Sequence, residues 1–163
     1  FMGSLGLSAE VVSGAEFKFA LSDGFAGEDV LFDGPLKTVE ELNLALTHGA
    51  SIQIDSLDEL RDAIGIIEER RLAKPRLSLR LAAPYKGGWS RFGLTKEEFY
   101  VALELLGDHA IALSGIHLHV GSNLESANQH IEARTMPECA NKHGCHGGKH
   151  NTYGVISGKL ASQ

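Results

Sequence analysis

The sequence predicts an α/β fold built on a parallel sheet, in the form of a partial (β/α)8 barrel, and three observations carry that reading. Short apolar segments bounded by polar residues alternate with segments of helical spacing about five times in succession, the pattern of right-handed βαβ units. Helix-start signals recur at the same place in the unit: Thr38 and Ser56 are each followed three residues later by a glutamate, Glu41 and Glu59. No G-x-G-x-x-G is present, although a doubly wound sheet usually carries such a turn after its first strand.

The elements follow in order. Glu10 to Ser13 is a strand candidate, and Gly14 to Ser22 follows as a helix with Phe17, Ala20 and Leu21 on one side. Asp29 to Asp33 is the second strand, closed by Gly34-Pro35, after which Thr38 caps a helix carrying Val39, Leu42 and Leu46. Ile52 and Ile54 mark the third strand, and Ser56 opens a helix that runs to about Arg71. Arg76 to Ala82 is the fourth strand; a loop rich in Gly and Pro then leads to Thr95, the cap of a helix with Phe99, Leu103 and Leu106. Ile111 to Val120 is the fifth strand, and Ser126 to His143 can form a fifth helix, with Pro137 awkward inside it. A complete barrel takes about 250 residues, so a chain of 163 supplies about half of one. Residues 1–143 are expected to form this partial barrel and 144–163 a divergent or disordered tail.

Composition narrows the classes of function. With 43% hydrophobic and 22% charged residues the chain is an ordinary globular sequence, and its formal charge of −6 leaves no basic stripe for nucleic acid. It has no run of about 18 apolar residues and no export leader, so neither a membrane span nor secretion is expected. Cys139 and Cys145 are too few for a disulfide framework, which makes the cytoplasm the default compartment. Phe1 precedes Met2 and the chain enters a strand–helix unit at once, as the middle of a fold would.

Working residues of such barrels sit at the carboxyl ends of strands. Those positions hold Glu10, Ser13, Glu16, Asp33, Lys37, Asp55, Ser56, Arg80, His117, His119 and Ser122. His117 and His119 point the same way along a strand, which suits a metal pair or local packing equally. Gly121-Ser122 beyond them could receive a phosphate. Arg80 lies in an apolar strand and requires a partner if buried. Ser13 and Ser56 read as helix caps, and Asp55 as a solvated or capping carboxylate. Cys139, His143, Cys145, His146 and His150 are zinc-binding types at a spacing that matches no common pattern, so no metal site is expected.

Several of these segments, taken in order, resemble the barrel-type (fold type III) decarboxylases that depend on pyridoxal 5'-phosphate (PLP), the group of diaminopimelate and ornithine decarboxylases. The segments are EVVSGAEFKFAL, FDGPLKTVEELNLAL, IQIDSLDELRDA, LSLRLAAPYKGGWSRFGLT and, most specific, GIHLHVGSNL; the resemblance extends over about residues 6–143. The resemblance implies an alanine racemase-like PLP barrel, an amino acid as substrate and a homodimeric full-length parent. By position it implies that His119 stacks on the PLP ring, Ser122 bonds the phosphate, Arg80 approaches from the 3-hydroxyl side, and Glu10, Ser13 and Glu16 belong to the surrounding wall. His117 is then a supporting residue. Glu10 stands where the family usually has Asp, and GPLK differs from the GNNK of diaminopimelate decarboxylases. The family's Schiff-base lysine belongs to a strand before the first one here, and its Gly-rich phosphate loop and carboxyl-terminal β domain to segments after the fifth unit. A PLP-dependent racemase, a non-catalytic PLP-binding or regulatory homologue, and an inert fragment with exposed sheet edges are the alternatives.

Overall fold

The computed structural model describes residues 5–85, 88–124 and 155–160. Its elements are β1 (Ala9–Val11), α1 (Gly14–Ser22), β2 (Val30–Phe32), α2 (Val39–Thr47), β3 (Ser51–Ile54), α3 (Leu57–Arg70), β4 (Arg76–Leu81), a short hairpin of β5 (Pro84–Tyr85) and β6 (Gly88–Trp89), α4 (Lys96–Asp108), β7 (Leu113–Leu124) and β8 (Val155–Leu160). The main sheet is six-stranded in the order β1-β2-β3-β4-β7-β8. Every pairing within it is parallel.

Register sorts the side chains by chemistry. Val11, Phe32, Ile52 and Leu77 fall in one row across four strands, and Ile54, Leu79 and Ile116 in the next. Successive residues of a strand alternate in direction, so these rows share one face. The helices cover it: Phe17 of α1 stacks on Phe32 with centroids 6.0 Å apart. Leu42 and Leu46 of α2, Leu60 and Ile64 of α3, and Phe99 and Leu106 of α4 join the same core. The opposite face carries Gln53, Ser78 and Gly115 in one row and Arg80 beside His117 in the next.

This polar face is concave. Asp33 follows β2 and His117 lies on β7, with β3 and β4 between them, yet Asp33 Oδ1 is 3.0 Å from His117 Nδ1. In a flat sheet three strand spacings would separate them by about 14 Å. The contact therefore requires a sheet rolled toward its polar side, which is barrel curvature.

Helix starts follow the expected chemistry, with one departure. Thr38 and Thr95 form complete capping boxes with Glu41 and Glu98. Ser56 accepts from Glu59 N, but the Glu59 carboxylate goes to the backbone N of Asp55 and to Lys37 instead of closing a third box. Val39, grouped with the apolar face of α2 in the sequence, is half exposed in the capping turn. Val155–Leu160, where the sequence suggested no assigned structure, forms β8 beside β7. The helix expected over residues 126–143 and the boundary between 143 and 144 lie outside the described residues.

Candidate cofactor site

The strand ends on the concave side gather ionisable groups that are mostly buried. Lys37 reaches them from the loop after β2. That loop turns at Gly34 because its backbone lies against Val12; a Cβ there would sit 2.3 Å from the Val12 carbonyl oxygen. The Lys37 side chain is fully buried, with Nζ donating to the Gly34 carbonyl at 2.5 Å and the Gln53 carbonyl at 2.8 Å, and pairing with Glu59 Oε1 at 2.5 Å. Glu59 Oε2 accepts from Asp55 N at 3.0 Å. Burial pushes the Glu59 carboxyl above its ordinary value, and the Lys37 ammonium only partly offsets this.

Asp55, just past β3, uses both oxygens. Oδ1 accepts from Arg80 Nη1 at 3.0 Å, and Oδ2 from Gly93 N at 3.1 Å. Arg80 is also covered by the Phe92 ring, 5.4 Å from guanidinium carbon to centroid. Gly93 adopts φ +87°, and a Cβ there would lie 2.6 Å from the Leu81 carbonyl carbon, so the loop after β4 rests directly on the end of that strand.

Across the concavity, Asp33 faces His117. Burial raises the Asp33 carboxyl, but the bond to His117 and the charges of His117, Arg80 and Lys37 outweigh it and leave it below the ordinary value. Glu10, on β1, is raised first by burial and then by Asp33. His119, two residues beyond His117 on β7, is held below the usual imidazole value by burial, then by Arg80 and His117, against Asp33. A neutral imidazole is thereby favoured at that point of the face.

The structure thus brings Glu10, Arg80 and His119 to one concave surface. Ser13 and Glu16 close the start of α1: Ser13 Oγ accepts from Glu16 N at 3.3 Å, and Glu16 Oε2 from Val12 N at 2.8 Å. Ser122 lies farther along β7, past an irregularity in the pairing, with its backbone opposite Lys159. Asp55 is the partner that Arg80 required, not a solvated carboxylate, and Glu59 is a site residue that the capping pattern concealed. A buried cation on β4 was the signal for Asp55, which ends the neighbouring strand.

A parallel sheet rolled around charged strand ends has the architecture of a (β/α) barrel. The chain belongs to the pyridoxal-dependent decarboxylase family: the model of that family's pyridoxal binding domain matches residues 1–148. Diaminopimelate decarboxylase of Archaeoglobus fulgidus is 29% identical over 147 residues, 81% of this chain and 34% of the relative. A probable chloroplastic diaminopimelate decarboxylase of Oryza sativa is 31% identical over 134 residues, 74% of this chain and 27% of the relative. The chain therefore spans about a third of the length of the curated relatives it matches. Among solved structures, diaminopimelate decarboxylase from Helicobacter pylori complexed with L-lysine superposes with a TM-score of 0.72 at 23% identity, covering 82% of this chain and 37% of that one. Arginine decarboxylase of Paramecium bursaria Chlorella virus bound to agmatine gives 0.71 at 23% identity, covering 95% and 42%. These neighbours establish the fold, a (β/α) barrel. No helix among the described residues is long and apolar enough to cross a membrane.

PLP is the cofactor of the matched domain, and the described residues suit it. Among them Arg80 is engaged through Nη1 alone, which leaves Nε and Nη2 for an anionic oxygen, and His119 offers a flat ring on the same face. Lys37 lies at these strand ends, and its three close acceptors commit it to structure.

Proposed function

We propose that this chain forms the cofactor cradle of a PLP-dependent amino acid decarboxylase of the diaminopimelate, ornithine or lysine type. The observation that carries the reading is a buried Arg80 with donors to spare on the same concave face as His119, in a chain matched by a pyridoxal binding domain. His119 stacks its uncharged ring on the cofactor, Arg80 bonds the 3-hydroxyl oxygen, and Ser122 takes the phosphate. Glu10 lines the wall beside Asp33, while Ser13 and Glu16 support that wall by fixing the start of α1. When bound, PLP supplies an electron sink for the charge left on the amino acid's α-carbon after loss of the carboxyl group. The protein's part is to hold the ring plane and exclude competing orientations.

Lysine and agmatine in the structures of relatives support a basic or diamino acid as the substrate of the parent. We assign the cradle to residues 1–143 of a cytoplasmic, homodimeric parent; the scarcity of cysteine supports the compartment. The second reading is a homologue that binds PLP without turnover; Lys37, held by Glu59 and two carbonyls, is a structural lysine in both readings.

Titration of the purified chain with PLP, followed by absorbance, tests the cradle. Saturable binding that is lost in His119→Ala is expected, with no cofactor fixed covalently by borohydride. Absence of binding would overturn the proposal, whereas cofactor fixed to a lysine of this chain would eliminate the second reading.

A further inference from the structure

We propose that Asp55 is the positioning residue of this site, holding the Arg80 guanidinium with one carboxylate oxygen and the loop between β4 and α4 with the other, so that cation and loop are set together. The role rests on the reading of Arg80 as a cofactor ligand. Arginine has a long, mobile side chain, and one that binds an anion well is pre-oriented by a second partner. Asp55 supplies that partner at 3.0 Å, with both side chains 9% exposed. The Phe92 ring covers the guanidinium, which confines it further and leaves Nε and Nη2 as its donors not engaged among the described residues.

Asp55 is itself held. Its backbone N–H is bonded by Glu59, Glu59 is paired with Lys37, and Lys37 bonds the carbonyls of Gly34 and Gln53. One continuous buried network therefore runs from the loop after β2, through α3 and the end of β3, to Arg80 on β4.

The loop side is equally specific. Gly93 N donates to Asp55 Oδ2, Leu94 N to the Arg80 carbonyl, and Ala82 N to the Leu94 carbonyl. Gly93 has no room for a Cβ against Leu81 and Ala82, so the loop lies directly on the strand end. Arg80 is thus clasped at its backbone by Leu94 and at its side chain by Asp55 and Phe92. Any ligand that recruits Arg80 engages the loop through the same carboxylate.

The test uses the whole chain with Asp55→Ala, Asp55→Asn, Arg80→Ala and the Asp55→Ala/Arg80→Ala pair. PLP affinity is measured by absorbance. In the same proteins without PLP, NMR follows hydrogen exchange at the Gly93 amide and the Arg80 Nε–H signal. Asp55→Ala is expected to weaken PLP binding by about tenfold or more. It should also speed Gly93 exchange and shift the Arg80 signal. The double variant should bind PLP no more weakly than Arg80→Ala alone, since Asp55 acts through Arg80. Asp55→Asn keeps an acceptor for Gly93 and should restore protection there; if the alanine variant does not fold, the asparagine variant carries the comparison through the Arg80 signal and PLP affinity. Additive losses in the double variant, or an Arg80 signal and Gly93 exchange untouched by loss of the carboxylate, would overturn the proposal. If the unaltered chain binds no PLP, the cradle reading fails, and the two NMR observables still decide whether Asp55 positions Arg80.

Discussion

Lys37 shows what a single buried charge demands. Its side chain has no solvent contact and that of Glu59 is 6% exposed, so each is the other's main compensation for lost hydration. Replacing Lys37 with Met should cost about 3–5 kcal/mol in urea unfolding, because it strands the Glu59 carboxyl; Lys37→Met/Glu59→Leu should recover most of that loss. Asp33 gives the acid response. Its carboxyl is lowered in the folded protein from 3.8, so its stabilisation is present above that pH and is lost as pH falls through the folded value. Asp33→Asn should therefore show a shallower loss of thermal stability on acidification below pH 3.8 than the unaltered chain. At this scale the sequence made the concave-face residues legible as polar positions at strand ends. It did not show their pairing, because Asp33 meets His117 only once the sheet is rolled, and Lys37 meets Glu59 only once β2 and β3 lie side by side.

Helix starts were the most legible elements. Thr38 and Thr95 cap as their local pattern dictates, since a capping box needs nothing beyond four consecutive residues. The same pattern at Ser56 failed in one respect: a tertiary partner, Lys37, drew the Glu59 carboxylate away. Glu41 does both jobs, bonding Thr38 N at 2.9 Å and Gly14 N of the preceding helix at 2.7 Å, whereas Glu98 bonds, among the described residues, only Thr95 N, at 2.8 Å. Glu41→Ala should consequently destabilise the protein by about 1 kcal/mol more than Glu98→Ala, as read by chemical denaturation. The hairpin of β5 and β6 and the strand β8 left too short an apolar signal to be seen in sequence.

For the molecule as a whole, the barrel could be preferred over an open sheet in sequence only through a missing glycine motif, while curvature is a property of all the strands together. The rolled sheet has an outer edge at β1, which pairs on one side only among the described residues. Beside that edge Phe19 is 72% exposed, Leu5 60% and Leu7 46%. Unpaired edges flanked by apolar side chains associate. Light scattering should reveal concentration-dependent self-association, reduced in Phe19→Glu with its circular dichroism unchanged.

The contact between Asp33 and His117 also bears on how the chain folds. Neighbouring βα units can assemble from local contacts, but this pair joins distant parts of the chain, and its closure entropy is recovered only when the strands between are already in place. Such an interaction belongs after the rate-limiting barrier. Asp33→Ala should then leave the refolding rate nearly unchanged and accelerate unfolding, a φ-value near zero in a denaturant-jump experiment.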